Sequence, residues 1–120
     1  MRLLVVDDDR ALRDVLRRAL TLSGYEVVLS ATGSEALSEV TTSVPDAVVL
    51  DVGLPDIDGL EVLTAIREVS SVPVIIMTVR TDARSIKDSL ALGATEYMNK
   101  PFKPETLLRR INALSAQMTG

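Results

Sequence analysis

The 120-residue sequence has no cysteine, no histidine and no tryptophan, and its aromatic residues are one phenylalanine and two tyrosines. Without cysteine there is no disulfide, no thiolate metal site and no cysteine nucleophile. Without histidine the commonest general base and metal ligand is missing, so any histidine chemistry has to come from a partner. A net charge of −4 argues against a nucleic-acid surface on this chain, where clustered Lys and Arg would be needed. If DNA is involved, something else must touch it. No basic-then-apolar leader opens the chain, and no apolar run nears the roughly 20 residues that a membrane span requires. The expectation is a cytoplasmic protein that makes no membrane contact.

The length suits one domain with a real core, since domains cluster at about 100–150 residues. Short apolar runs alternate with amphipathic stretches throughout. Residues 3–6, 27–29, 47–50, 74–77 and 96–99 read as strands, the third and fourth being almost wholly apolar, as parallel strands covered on both faces are. Leu12, Val15, Leu16, Ala19 and Leu20 form one helical stripe, with Gly24 suited to end it. Leu60, Leu63 and Ile66 form a second. Leu107, Ile111, Leu114 and Met118 form a third, with Pro104 in its first turn. Residues 34–40 and 82–92 read as helices with fewer apolar positions. Strict βαβα alternation predicts a parallel sheet with right-handed crossovers and helices on both faces. Five strands in the order 2-1-3-4-5 make a flavodoxin-like, doubly wound (βα)5 fold whose switch point lies between the first and third strands. Residues 1–120 read as one domain, with 116–120 as a frayed end or a truncation point before a further domain.

Four segments end strand-like runs: Asp7-Asp8-Asp9, Asp51 with Leu54-Pro55 and Asp58-Gly59 behind it, Thr78, and Lys100-Pro101-Phe102. A parallel sheet brings them to one edge, where open α/β sheets bind ligands. Three crowded carboxylates cannot all stay ionised without a cation, and all-oxygen ligation in a small site favours Mg²⁺. Lys100 supplies a second positive centre and Thr78 a hydroxyl donor. Taken singly, each segment has a plainer reading. The acidic run can begin a helix with Asp8 or Asp9 as cap, Pro55, Asp58 and Gly59 can form a turn, and Lys100 can be a solvated loop lysine. Their joint occurrence in this order carries the argument.

That set resembles the active site of response-regulator receiver domains, the aspartate-phosphorylated modules of two-component signalling, over essentially the whole chain. The resemblance implies that Asp51 is the phosphoacceptor. It also implies that Asp8, Asp51 and the Gly53 backbone carbonyl bind Mg²⁺ directly, with Asp7 acting through metal-bound water. The phosphoryl donor would be a phosphohistidine on a sensor histidine kinase or phosphotransfer protein. Tyr97 matches the aromatic that turns inward when the hydroxyl of Thr78 moves toward the phosphoryl group. The face formed by the 82–92 helix, the last strand and the last helix would then change, and through it an output, transcription being the expected one.

Some positions depart from the family pattern. Val79 stands where a small residue is usual and could narrow access to Asp51, while Gly53 adds no side chain beside it. Arg80 and Arg110 match basic positions of receivers from DNA-binding regulators, but Ile86 replaces a basic residue, and Thr95 and Thr106 replace acidic ones. A homodimer through that face would be more apolar than usual, with Ile86 and Leu90 as contacts and Glu96 paired to Arg110; for Leu90 core packing is the simpler reading. Two other functions compete. One is an aspartate-nucleophile, Mg²⁺-dependent phosphatase, which usually carries an acid two residues after its nucleophile, where Gly53 stands. The other is a pseudo-receiver that only binds partners, against which the retention of Asp7, Asp8, Asp51, Thr78 and Lys100 speaks. A receiver is a switch that assists its own phosphorylation, not a stand-alone enzyme.

Overall fold

The computed structural model describes residues 1–79 and 83–119, with side chains described as far as Gln117. Among them five strands, β1 (Arg2–Val6), β2 (Glu26–Ser30), β3 (Ala47–Asp51), β4 (Val74–Thr78) and β5 (Glu96–Asn99), alternate with five helices, α1 (Arg10–Leu22), α2 (Gly33–Thr42), α3 (Gly59–Val69), α4 (Ala83–Ala91) and α5 (Pro104–Thr119). The strands pair in parallel in the order β2-β1-β3-β4-β5, which is the predicted flavodoxin-like topology. Arg80 and Asp82 lie outside the described residues, as does the side chain of Met118.

Alternation along the strands builds two cores from one sheet. Leu3, Val5, Val49, Ile75, Met77 and Met98 pack with Leu16 and Leu20 of α1 and with Leu107, Ile111 and Leu114 of α5. Leu4, Val6, Val48, Leu50, Val74 and Ile76 turn the other way onto Ala36 and Val40 of α2 and onto Val62, Leu63 and Ile66 of α3. Each fully buried Leu, Ile or Val contributes roughly 1.5–3 kcal/mol. That is why these runs are apolar at every position. The register sets Val6 beside Leu50, Asp51 beside Met77 and Thr78 beside Asn99, so the carboxyl ends of β1, β3, β4 and β5 finish side by side.

Helix ends follow local chemistry. The Asp9 side chain accepts from the Leu12 N–H and caps α1. At its other end Gly24, at φ +95°, lets the Tyr25 N–H reach the Leu20 carbonyl and its own N–H reach that of Thr21. Gly93, at φ +104°, closes α4 in the same way, with Ala94 donating to Ser89 and Gly93 to Leu90.

One expectation from the helical stripes fails. Val15 is 50% exposed, because α1 packs through Leu16 and Leu20 and Val15 falls beyond the edge of that contact. Leu90 is 48% exposed, which agrees with its reading as a surface contact and not with the plainer core reading, since α4 turns Ser89 inward. Strands β3 and β4 each run one residue further than their apolar runs, so Asp51 and Thr78 belong to the sheet itself.

Candidate functional site

Asp7 directly follows β1 and is fully buried. Its N–H extends the ladder to the Ser30 carbonyl at 3.1 Å. Its Oδ1 accepts from the Asp9 N–H at 2.8 Å, its Oδ2 receives the Lys100 ammonium at 2.5 Å, and its carbonyl accepts from Arg13 at 2.7 Å. Both carboxylate oxygens are therefore engaged within the protein. The next residue, Asp8, is exposed. Asp51 ends β3 and is nearly buried; one oxygen accepts from the Gly53 N–H at 3.2 Å and the other lies 3.3 Å from Lys100 Nζ. One oxygen from each of Asp7, Asp8 and Asp51 lies within 4.8 Å of the other two. The sheet thus brings the three carboxylates and the lysine to one point.

Burial, and then the charge of Asp7, push the Asp51 carboxyl above its ordinary value, against the opposing Gly53 hydrogen bond and Lys100. Burial alone would lower Lys100, but its hydrogen bond to Asp7 and the charges of Asp51 and Asp7 raise it overall. A carboxyl raised on folding costs stability once ionised, and that cost fades as pH falls through its folded value. Asp51→Asn is accordingly expected to melt several degrees above the unsubstituted protein in chelator near neutral pH, the scale of about 1 kcal/mol in a domain of this size. The gap should narrow on acidification. A lower melting temperature for the variant would mean that the Lys100 contact outweighs the repulsion.

The segment after Asp51 folds back tightly. The Gly59 N–H donates to the Val52 carbonyl at 2.9 Å. A Cβ on Gly59 would stand 2.4 Å from Val52 Cα and 2.5 Å from the Asp51 carbonyl oxygen. Asp58 then caps α3 through the Leu60 N–H at 2.8 Å. Beside Asp51 there is open space, since a Cβ on Gly53 would meet only Asp51 Oδ1, at 4.0 Å.

Thr78 is buried at the end of β4, and its carbonyl accepts from the Lys100 N–H at 2.7 Å. The Lys100-Pro101 bond is cis. Tyr97 projects into the α2/α3 layer with its hydroxyl buried, and it lines a small cavity with Val52, Leu60, Ile76, Thr78, Ser85 and Ser89. Val79 is 73% exposed, at the rim of a groove shared with Asp9, Leu12, Lys100, Pro101 and Phe102. Away from the pocket, Arg110 pairs with Glu96 at 3.4 Å, and Ile86 is partly buried on α4.

Sequence reasoning missed two supports. Arg13 holds the Asp7 carbonyl, and its spacing of six residues from Asp7, across a capped helix start, was the available signal. Asp56 binds the N-terminus of α2 at a separation of 23 residues, for which the sequence offers no local sign.

A doubly wound sheet with a carboxylate cluster at its switch point, fronted by a lysine, defines a class of α/β domains whose sheet edge could hold a hard cation. Residues 3–112 match the family model of the response regulator receiver domain. The chain belongs to that family, the CheY-like receivers of two-component signalling, a signalling family and not one of stand-alone enzymes. The response regulator MprA of Mycolicibacterium vanbaalenii is 45% identical over 120 residues, covering 99% of this chain and 52% of that protein. The chain thus spans about half the length of the curated relatives it matches. A receiver domain protein from Methanospirillum hungatei superimposes with a TM-score of 0.90 at 33% identity, covering 98% of this chain and 96% of that one. A two-component response regulator from Clostridium difficile reaches 0.96 at 27% identity, covering 100% and 99%. Among the described residues, no helix is long and apolar enough to cross a membrane.

Proposed function

We propose that the chain is a phosphorylation-dependent switch in which Asp51 accepts a phosphoryl group from a phosphohistidine of a sensor kinase or phosphotransfer protein. The observation that carries this reading is the placement of Lys100 Nζ at 2.5 Å from Asp7 and 3.3 Å from Asp51, within the three-carboxylate cluster. The charge of the site fits one divalent cation. Three carboxylates and one ammonium leave −2, and oxygen donors favour Mg²⁺. In this reading Asp8, Asp51 and the Gly53 carbonyl bind the ion directly and Asp7, whose Oδ2 holds the Lys100 ammonium, acts through metal-bound water. When bound, Mg²⁺ would neutralise the phosphoryl oxygens and favour in-line attack.

An Asp51 carboxylate oxygen forms the new bond to phosphorus as the donor's nitrogen–phosphorus bond breaks, and the imidazole leaves with the electron pair. Lys100 pairs with one phosphoryl oxygen and the Thr78 hydroxyl donates to another. Tyr97, which shares a cavity with Thr78, Ser85 and Ser89, carries the change to α4. The surface of α4, β5 and α5, bearing Ile86, Leu90, Glu96 and Arg110, is the face read by an output or by a second copy of the chain. That the chain spans half of its relatives supports an output domain beyond residue 120, where DNA contact and transcriptional control would reside, in the cytoplasm. The aspartate-nucleophile phosphatase reading is disfavoured because Gly53 offers no acid two residues after Asp51.

Beryllofluoride with Mg²⁺ tests the reading. It should bind at Asp51 and shift the amide signals of Thr78, Tyr97 and α4, and chelator should reverse the shift. No binding at millimolar reagent would exclude a working phosphoacceptor site. In a Mg²⁺ titration Asp8→Ala should lose affinity by about tenfold or more and Asp7→Ala by less, because ligands given up directly cost most. The reverse order would make Asp7 the direct ligand.

A further inference from the structure

The loop that carries Gly53 is held by the Gly53 N–H on Asp51 Oδ1, by Leu54 and Ile57 packed against the α2/α3 core, and by two further hydrogen-bonded contacts. At its base, Gly59 donates to the Val52 carbonyl. Further along, Asp56 reaches out of the loop to a different crossover: Oδ1 accepts from the Gly33 N–H at 2.8 Å and Oδ2 from the Ser34 N–H at 3.0 Å. These are two of the N–H groups that the first turn of α2 cannot satisfy within the helix. The remaining cap of α2 is supplied locally, with Thr32 accepting from Glu35 N–H at 3.1 Å and Glu35 accepting from Ala31 N–H at 3.0 Å. Asp56 therefore joins two elements, whereas Thr32 serves only its own helix.

The fit between the loop and α2 is close. A Cβ on Gly33 would meet Val62 Cγ2 at 2.8 Å, Ile57 Cβ at 3.1 Å and Asp56 Oδ1 at 3.4 Å. The two N–H bonds hold the Asp56 carboxyl well down, at about 2, which agrees with a carboxylate that stays ionised and bound at neutral pH. Gly53 has no side chain to pack, and its surroundings are open. Apart from the bond of its N–H to Asp51 Oδ1, its carbonyl is held through the loop on either side of it.

We propose that Asp56 is a positioning residue for the cation pocket, fixing the Gly53 carbonyl by tying the 52–58 loop to the N-terminus of α2. The proposal rests on the cation reading above, and its test separates the two.

The probe is Mg²⁺ alone, followed by amide NMR shifts, together with amide exchange in the metal-free protein. Asp56→Ala should weaken Mg²⁺ about tenfold, the lower end of what losing a support behind a metal ligand costs. It should also speed exchange at Gly53 and Leu54 without metal. Asp56→Asn keeps one acceptor and should fall between. Thr32→Ala is the control, because it removes a cap from the same helix end: it should lower the melting temperature while leaving Mg²⁺ affinity and Gly53 exchange unchanged. Wild-type affinity and exchange in Asp56→Ala would overturn the proposal, as would an equal loss in Thr32→Ala, which would show that fraying of α2 is enough. If the unsubstituted protein binds no Mg²⁺, the cation reading falls and takes the proposed role with it, while metal-free exchange still reports whether Asp56 holds the loop.

Discussion

Incubated with a small acyl phosphate and Mg²⁺, the protein should gain one acid-labile phosphoryl group, and Asp51→Asn should reduce that incorporation by at least about 100-fold. The expectation comes from the chemistry of the acceptor. An amide oxygen is a far poorer nucleophile than a carboxylate and carries no charge for the cation to hold. Position matters as much. Asp7 is fully buried and its Oδ2 lies 2.5 Å from the Lys100 ammonium, so a phosphodonor reaches it less readily than Asp51. Asp8 is exposed, whereas the Lys100 ammonium lies on Asp7 and Asp51. Intact-mass measurement before and after mild base distinguishes an acyl phosphate from a phosphoester. Incorporation by the Asn variant at the unsubstituted level would place the acceptor elsewhere and remove the basis for the switch.

The second large effect is structural. Gly59→Ala is expected to destabilise the domain by roughly 3 kcal/mol or more, beyond ordinary overpacking, because its Cβ meets backbone that cannot swing aside. The atoms in the way are Val52 Cα and the Asp51 carbonyl oxygen. Any relief must therefore move the end of β3, and with it Asp51. Denaturant melts should show the loss, and Mg²⁺ affinity in the surviving folded fraction should fall as well. A variant as stable as its parent would mean that the turn after β3 can open at little cost. Gly33→Ala meets mainly side-chain atoms and should cost less.

The fold was legible because its signals are local and repeated. Runs such as Ala47 to Leu50 and Val74 to Ile76 are apolar at successive positions, which only a sheet covered on both faces demands. The site was legible because each of its members ends such a run. What escaped was set by contacts distant in sequence. Leu90 looked apolar enough for the core, yet the inward position on α4 belongs to Ser89, beside Tyr97 and Thr78. Asp58-Gly59 read as a turn, and nothing in the chain announced that Gly59 presses on the backbone of Asp51. Asp56 looked like one more loop acid, since its partners lie 22 and 23 residues away.

Arg67 gives the molecule a mechanical property. From the last turns of α3 it donates to the Gly93 carbonyl twice, at 3.0 and 2.8 Å, and to the carbonyls of Ser70 and Val72 at 3.3 and 2.6 Å. Its side chain lies so close to Gly93 that a Cβ there would touch Nε at 2.9 Å. The glycine turn that ends α4 is thus pinned to α3 and to the entry of β4. Nearer the site, Ser85 and Ser89 of α4 instead border a small cavity shared with Thr78, Tyr97, Val52, Leu60 and Ile76. A helix clamped at its far end over a small cavity would move, in the proposed switch, as a lever about a fixed fulcrum. In the proposed switch, a displacement starting at Thr78 would grow toward the amino end of α4 and die out at Gly93.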